Sequence, residues 1–191
     1  MWDLMINDIS KIENKRGEAN ASILILLYGD PIRMLMVRKN CSISGRFSCD
    51  LAFPGGRIKK NENPIETALR EAWEEVWVFP KYVKLIGFLD IHETISRPVI
   101  RVLPIVGFLE GPIDPMPRDP EIDQSIWIPL SMIGPPKNVY HPVRGYVKGV
   151  CLPGGLVVWG VSYRIIASLK KALNQLTNQE TYQSRKRALE A

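Results

Sequence analysis

Three glutamates that stand close together, Glu71, Glu74 and Glu75, are the side chains whose type and spacing point most directly to chemistry. At the 100° per residue of an α-helix they share one arc of about 100°, whereas apolar residues such as Ala68 and Val76 fall on another side. Carboxylates this close repel one another, and hard divalent cations such as Mg²⁺ take oxygen ligands of this kind. The pattern predicts a helix with one face in the core and one acidic face, which is either a metal site or a solvated surface.

The chain before these glutamates predicts the start of the helix and a tight turn. From Pro64 to Val76 the apolar residues follow a helical period, and proline is favoured in the first helical turn. Upstream, Pro54, Gly55 and Gly56 predict a turn in which glycine allows close backbone approach or a positive φ. Beside an acidic helix, such a turn is able to offer backbone groups to a metal or a phosphate.

The segment 55–78 as a whole resembles the Nudix box, G-x5-E-x7-R-E-U-x-E-E-x-G-U, in which U is a large aliphatic residue. The positions that match this pattern in register are Gly56, Glu62, Arg70, Glu71, Glu74, Glu75 and Val78. Each of these residue types has a background usage of roughly 5–8%, so this many coincidences are very improbable. The match makes a merely solvated acidic face a poor explanation of the glutamates.

Two positions depart from the box. Ala72 is a small apolar residue at the first aliphatic position, and Trp77 stands where glycine usually ends the helix. Glycine there permits the left-handed backbone conformation that closes many helices, whereas tryptophan is strained in it. We therefore expect helix 64–76 to end in a different conformation, without effect on the carboxylates.

Sequence on both sides of the box resembles one branch of the family, the coenzyme A diphosphatase-like Nudix hydrolases. Upstream the likeness runs through residues 36–56, although Cys49 and Asp50 stand where that branch usually has Gly-Gln. Downstream it continues to residues 157–161, so that it spans roughly residues 23–168. Only the box is highly specific, because the flanking matches are shared with related Nudix enzymes.

This resemblance implies a fold and a reaction. The fold is α/β, a Nudix-type α/β/α sandwich with a mixed sheet whose helix carries the metal site. Glu71, Glu74 and Glu75 would hold Mg²⁺ or Mn²⁺, together with a backbone carbonyl of the glycine turn, and the metal would neutralise a diphosphate and activate a water. Glu62 and Arg70 would pair and brace the loop on the helix, a structural role.

The residue that acts as general base is left open, because in this family it can lie in the box or on a later loop. Glu121 follows a proline-rich loop, residues 111–120, and is able to swing towards the site; a plain loop acid is the alternative. The two histidines, His92 and His141, are expected to be structural or exposed. The candidates for the base are Glu71, Glu74, Glu93 and Glu121.

Cations upstream of the box are candidates to hold phosphates, since arginine offers a planar, bidentate fork. Solvated strand and loop charges are the alternative for them, and Lys39 is a further cation of this kind. The expected substrate-binding residues are Arg38, Arg46, Phe53, Gly55 and Gly56.

Periodicity elsewhere predicts the strands on which this helix packs. The segments 39–50 and 111–120 are predicted loops, and residues 2–15 a short helix. Segment 156–173 begins as a strand and becomes a helix near Gly160. The other predicted strands are 22–28, 32–38, 81–91, 98–109, 125–130 and, as a strand or hairpin, 138–151.

The chain shows no internal repeat and no linker long enough to separate two domains. We therefore expect a single domain over residues 1–191, with a core of about residues 20–173 and a basic, polar tail over residues 174–191. Residues 170–191 hold five basic and two acidic side chains, so they contribute +3 of the net charge of +5. Nucleic-acid binding is not expected, because no run of aromatic residues interleaves with these charges.

The composition, with 46% hydrophobic and 24% charged residues, is that of an ordinary globular chain. No apolar run reaches the roughly 18 residues of a transmembrane helix, and the N-terminus does not resemble a secretory signal. The three cysteines, Cys41, Cys49 and Cys151, have no C-x-x-C spacing and favour neither a disulfide framework nor a zinc site. A reducing compartment, the cytoplasm, is therefore expected, with no membrane partner.

The resemblance implies a metal-dependent hydrolase that cleaves the diphosphate bond of a small nucleotide derivative. Coenzyme A or an acyl derivative is the first substrate candidate, ADP-ribose or another sugar nucleotide the second, and an oxidised nucleoside triphosphate the third. The alternative from another class is a non-catalytic Nudix-fold module that binds a nucleotide or RNA. A homodimer is compatible with the resemblance, although no residue pattern requires it.

Overall fold

The computed structural model describes residues 11–12, 15, 17–43, 45–95 and 97–189, and side chains as far as residue 175. The helix expected over residues 2–15 lies almost wholly outside these residues. Within the described residues the α-helices are α1 (Pro64–Val76) and α2 (Gly160–Leu189). The strands are β1 (Ala21–Tyr28), β2 (Arg33–Lys39), β3 (Leu51–Ala52), β4 (Gly55–Arg57), β5 (Val83–Phe88), β6 (His92–Glu93), β7 (Arg101–Leu109), β8 (Ile122–Pro129), β9 (Lys137–His141), β10 (Gly145–Leu152) and β11 (Leu156–Trp159).

The larger sheet is mixed and has eight strands. Its main path runs in the order β3-β2-β1-β7-β5, in which β1 and β7 are parallel and the other neighbours are antiparallel. The remaining strands pair alongside, β4 with β1, β6 with β7 and β8 with β2. Since β1 is covered on both faces, its sequence is an almost continuous apolar run.

The two helices cover opposite faces of this sheet. Side chains of β1 alternate between the faces, as in any strand. Leu24 and Leu26 belong to the same buried cluster as Ala68 and Ala72 of α1, whereas Ile25 belongs to the cluster that contains the buried residues of α2. The α/β/α sandwich with a mixed sheet is therefore confirmed.

Beyond the main sheet, β9, β10 and β11 form a second sheet in the order β11-β10-β9. The segment 138–151 is the hairpin that was one of the two expectations, and Gly145 has a positive φ of 70° at its turn. β11 leads into α2 at Gly160, where the change from strand to helix was expected. α2 continues across residue 174 as far as Leu189. The division into a core and a tail at residue 174 stays a prediction, and so does the single domain over residues 1–191.

The end of α1 differs from the expectation. Trp77 is left-handed, with φ 60° and ψ 30°, so the prediction of another conformation is wrong. Its N–H donates to the carbonyl of Trp73 and the N–H of Val78 donates to that of Ala72, a closure that glycine usually provides. The guanidinium of Arg118 lies 5.2 Å from the Trp77 ring centroid, a cation–π contact that offsets part of the roughly 1 kcal/mol cost of this backbone conformation.

Two of the three cysteines are joined, contrary to the expectation of no disulfide. Cys41 and Cys49 form a disulfide with their Cα atoms 4.5 Å apart, and Cys151 is free. The loop between them turns back on itself, because the N–H of Cys49 donates to the carbonyl of Lys39. Cys49 itself has a left-handed φ of 62°, at a position where the related branch has glycine.

Candidate active site

Helix α1 is oriented by its N-terminal cap and by its buried face. The Asn63 side chain accepts the N–H of Glu66, and the Glu66 carboxylate accepts the N–H of Asn63, which together form a capping box. Ala68 and Ala72 are fully buried against the sheet. With that face in the core, Glu75 reaches Gly55 of the glycine turn and Lys39 of β2, and Glu71 lies beside Gly56.

Glu75 is the most buried of the three, with 5% of the residue exposed. One carboxylate oxygen accepts a hydrogen bond from Lys39 Nζ at 2.7 Å, and the other accepts one from the Gly55 N–H at 3.2 Å. Burial raises the pKa of the Glu75 carboxyl, and the Lys39 ammonium opposes that rise. A carboxylate in this position depends on a neighbouring cation to remain charged.

Arg70 connects the other two glutamates to the loop before the helix. Its Nη1 donates to Glu71 at 2.7 Å and to Glu74 at 2.8 Å. The same guanidinium donates to both oxygens of Glu62, from Nε at 2.6 Å and from Nη2 at 2.9 Å. The Arg70 hydrogen bonds lower the pKa of Glu62 to about 2, so this pair is ionised across the physiological range.

The glycine turn lies directly against the acids. A Cβ on Gly56 would stand 2.4 Å from a carboxylate oxygen of Glu71, and one on Gly55 would stand 2.5 Å from the carbonyl oxygen of Ser22. Since real Cβ atoms do not approach other atoms so closely, position 55 requires glycine, and a side chain at position 56 would displace the Glu71 carboxylate. The backbone of β4 is thereby brought to the carboxylates of α1.

This donor set fits a hard divalent cation, because carboxylate and backbone oxygens are the ligands that Mg²⁺ and Mn²⁺ take. Within the described part of the chain, no three acidic, histidine or cysteine side chains already converge into a metal cluster. Lys39 and Arg70 lie among the glutamates and neutralise them. The carboxylates that such a cation would neutralise are that of Glu71, which lies close to Gly56, and that of Glu75, which is buried.

A cleft of about 310 Å³ opens beside these groups. Of the predicted residues it brings together Arg46, Gly55 and Glu121, with Lys39 and Phe47 also in its wall. The Glu121 side chain is 70% exposed and lies 3.9 Å from Lys39 Nζ. A larger hollow of about 480 Å³ lies along α2. Lys39 and Gly55, the two residues that donate to Glu75, line the smaller cleft and not the larger hollow, so the smaller cleft is the one that adjoins the chemistry.

Two predicted substrate-binding residues have other surroundings. The Arg38 guanidinium donates to Asp123 at 2.7 Å, which occupies it structurally. Phe53 is 4% exposed and belongs to the core cluster. Alternation along β2 explains the first case, because Arg38 and Lys39 point to opposite faces of the strand. The contact of Lys39 with Glu75 was missed, since a pairing of residues 36 apart leaves no local signal in the sequence.

The remaining predicted residues are placed as follows. His141 is fully buried, and His92 is partly buried, with its pKa lowered by burial first and by the nearby Arg164 second. Glu93 lies on β6 at the edge of the main sheet. None of these three lines the cleft beside Lys39.

Comparison with known proteins agrees with this geometry. The NUDIX domain family model matches residues 19–148, so the chain belongs to the Nudix family of hydrolases, which act on diphosphate bonds of nucleotide derivatives and generally use a divalent metal. The crystal structure of RenU, a Nudix hydrolase from M. smegmatis, superimposes with a TM-score of 0.52 at 18% identity, covering 60% of this chain and 72% of that one. That likeness supports the fold.

Curated relatives have similar sequences over different lengths. The chain is 30% identical over 181 residues to the human mitochondrial coenzyme A diphosphatase NUDT8, covering 87% of this chain and 73% of that protein. It is also 30% identical over 114 residues to NudL of Pectobacterium atrosepticum, an uncharacterized Nudix hydrolase, covering 59% of this chain. The chain spans only 58% of the length of that NudL protein.

Proposed function

We propose that this protein hydrolyses the diphosphate bond of a nucleoside diphosphate derivative with the help of Mg²⁺ or Mn²⁺. The observation that carries the proposal is the buried Glu75 carboxylate, which lies beside Glu71 on α1 and accepts the N–H of Gly55. Its cationic neighbour on the sheet side is Lys39, at 2.7 Å, and carboxylates whose pKa burial perturbs in this way are concentrated at functional sites. Family membership supports the reaction type.

In this proposal the three box glutamates hold the metal, with Glu71 and Glu75 as the principal ligands and Glu74 as a third or water-mediated one. A backbone carbonyl of Gly55 or Gly56 completes the donors. The bound cation supplies charge neutralisation at the diphosphate and activation of the attacking water. Arg70, which touches both Glu71 and Glu74, and Glu62 keep the helix and the preceding loop in register.

The cleft residues orient the substrate. Lys39 and Arg46 lie in its wall and carry the positive charge that a diphosphate needs. Glu121 is the favoured general base, because its exposed carboxylate is free to turn towards the site and take a proton from water. Arg38, paired with Asp123, and Phe53, in the core, are not assigned to the substrate.

Coenzyme A or an acyl derivative is the proposed substrate, giving phosphopantetheine and adenosine 3′,5′-bisphosphate. The similarity to a relative named as a coenzyme A diphosphatase supports it, as does the resemblance of residues 36–56 to that branch. The departure at Asp50 does not weaken it, because that side chain is turned inward and is only 9% exposed. ADP-ribose or another sugar nucleotide is the second candidate.

A non-catalytic binding module is disfavoured, since a binder gains nothing from three repelling carboxylates on one helix face. The cytoplasm and a homodimer stay predictions. Among the described residues, no helix has both the length and the apolar character that crossing a membrane requires.

The test is product analysis by mass spectrometry. Purified protein with Mg²⁺ is offered coenzyme A, ADP-ribose, NADH and an oxidised dGTP in parallel, and then with Mn²⁺. Phosphopantetheine formed fastest supports the coenzyme A assignment, and turnover of only another substrate keeps the diphosphatase and discards that assignment. No turnover of any of them, with either metal, would leave the binding module as the better account.

A further inference from the structure

A polar cluster is formed by Asp50, His141, Arg144 and Trp159, in which Asp50 and His141 are buried, Trp159 is half-buried and Arg144 is exposed. One oxygen of Asp50 accepts the indole N–H of Trp159 at 3.0 Å, and the other lies 3.8 Å from Arg144 Nη2. Asp50 is 9% exposed and His141 is not exposed at all. The cluster therefore joins the short strand β3 to the second sheet through a charge that water hardly reaches.

The hydrogen bonds of His141 show how it faces Asp50. Its Nδ1 accepts the backbone N–H groups of Val143 and Arg144, both at 3.2 Å, so the proton of the neutral ring resides on Nε2. That Nε2 lies 3.2 Å from Asp50 Oδ1, although poorly aligned for a hydrogen bond. The imidazole thus fixes the turn that carries Arg144 and presents positive polarity to the Asp50 carboxylate.

Arg144 reaches from this cluster to the cleft loop, residues 40–49. Its guanidinium donates to the carbonyl of Arg46 and lies 5.9 Å from the ring centroid of Trp159. Arg46 and its neighbour Phe47 line the cleft. Arg144 therefore bonds the backbone of a segment whose side chains form the cleft wall.

Asp50 holds the other end of the same loop. Its backbone N–H donates to the carbonyl of Phe47 at 3.0 Å, and its carbonyl accepts the N–H of Lys39 at 2.9 Å. Lys39 is the cation that bonds Glu75. Through its backbone, Asp50 thereby fixes the position of the loop and of Lys39. Through its side chain, it also fixes the position of Arg144.

We propose that Asp50 and Arg144 are positioning residues that hold the cleft loop in the geometry that substrate binding requires. This inference rests on the proposed function, because it assigns these residues to the cleft of that site. A neutral side chain at position 50 would leave the Arg144 guanidinium without its anionic neighbour. The charged pair therefore links the second sheet to the cleft.

The test compares steady-state kinetics of Arg144→Gln, Arg144→Lys and a matched control, Lys148→Gln, with wild type. Lys148 is an exposed lysine on β10, the strand that follows the turn of Arg144, so its loss removes an equal charge from the same hairpin. We expect Arg144→Gln to raise KM about tenfold with kcat changed less than about twofold, as for a loss of binding geometry. Arg144→Lys should recover part of the loss, and Lys148→Gln should match wild type.

Hydrogen exchange gives a second readout that needs no substrate. The amides of Ser48, Cys49 and Asp50 are bonded within the loop or to β2, and they should exchange faster in Arg144→Gln than in Lys148→Gln, while those of α1 stay unchanged. Asp50→Asn, which removes the charge at nearly constant shape, should give the same change if Arg144→Gln does not fold.

The two proposals fail in different ways. If wild type cleaves no diphosphate substrate, the proposed function fails. Hydrogen exchange in the cleft loop then tests alone whether Asp50 and Arg144 hold that loop in position. Unchanged KM in a folded Arg144→Gln, or loop exchange equal to that of Lys148→Gln, would overturn the positioning roles while leaving the diphosphatase in place.

Discussion

Replacing Lys39 by methionine isolates the contribution of the cation beside Glu75. Lys39 Nζ lies 2.7 Å from Glu75 Oε1, and the two side chains are 18% and 6% exposed. The change leaves a buried carboxylate that keeps the Gly55 N–H as a donor but loses its nearest positive charge. Breaking a buried ion pair from one side typically costs about 3–5 kcal/mol.

The Glu75 carboxyl limits this cost, because it is able to take up a proton. Its ordinary pKa is 4.5, so protonation at pH 7 costs about 3.4 kcal/mol, at about 1.36 kcal/mol for each pH unit. We therefore expect metal-free Lys39→Met to lose about 3 kcal/mol of unfolding free energy at pH 7.

The sign of the pH dependence follows from the same linkage. Burial raises the folded-state pKa of Glu75 in wild type already, and loss of the Lys39 charge raises it further, so the variant loses more stability than wild type as pH rises from 4.5 towards 7. The deficit relative to wild type should shrink to about 1 kcal/mol at pH 5.

Urea denaturation of metal-free protein at pH 5 and pH 7 measures both values. Lys137→Met, an exposed lysine on β9, is the matched control, and the double variant Lys39→Met/Glu75→Gln should regain most of the loss, since the amide is neutral. The reasoning is refuted if Lys39→Met unfolds with a free energy within about 0.5 kcal/mol of wild type at pH 7, the range of ordinary surface changes. A double variant no more stable than the single one would refute it equally.

Three further changes test other contacts. Glu75→Gln should lower kcat at least about 100-fold with an unchanged circular dichroism spectrum. The control Glu66→Gln, which preserves the capping box, should retain activity. A near-normal rate for Glu75→Gln at saturating Mg²⁺ would contradict the role of Glu75. Arg70 lowers the pKa of Glu62 to about 2. Wild type should therefore have a higher free energy of unfolding than Glu62→Gln above pH 4.5, and this difference should shrink as pH falls from 4.5 towards 2. A difference that stays constant in acid would contradict the Glu62–Arg70 pair. At the left-handed position 77, Trp77→Gly should be more stable than Trp77→Ala by about 1 kcal/mol in thermal unfolding, and equal stability would mean that the backbone there is not strained.

The sequence predicts most of what is local. The apolar period and Pro64 place α1 at residues 64–76, as observed, because helix period and capping are written into neighbouring residues. The strand-to-helix change at Gly160 is confirmed for the same reason. The mixed sheet and its two covering helices followed from the family resemblance, since strand order between distant segments leaves no periodic signal.

The features that the sequence did not reveal depend on contacts between distant segments. Lys39 meets Glu75 only because β2 and α1 are packed around the glycine turn. Phe53 belongs to the core because its neighbours in space, which the sequence does not give, are apolar. The left-handed backbone of Trp77 was not expected, and neither were the hydrogen bonds and the Arg118 contact that accompany it.

The central claim is that the α1 glutamates bind a divalent cation, and Mn²⁺ titration followed by electron paramagnetic resonance tests it most directly. The experiment compares wild type with Glu71→Gln, Glu75→Gln and the control Glu66→Gln, all metal-free at the start. We predict saturable Mn²⁺ binding that weakens at least about tenfold in the first two variants and is unchanged in the third. Binding equally tight in all four proteins, or none in wild type, would contradict the account.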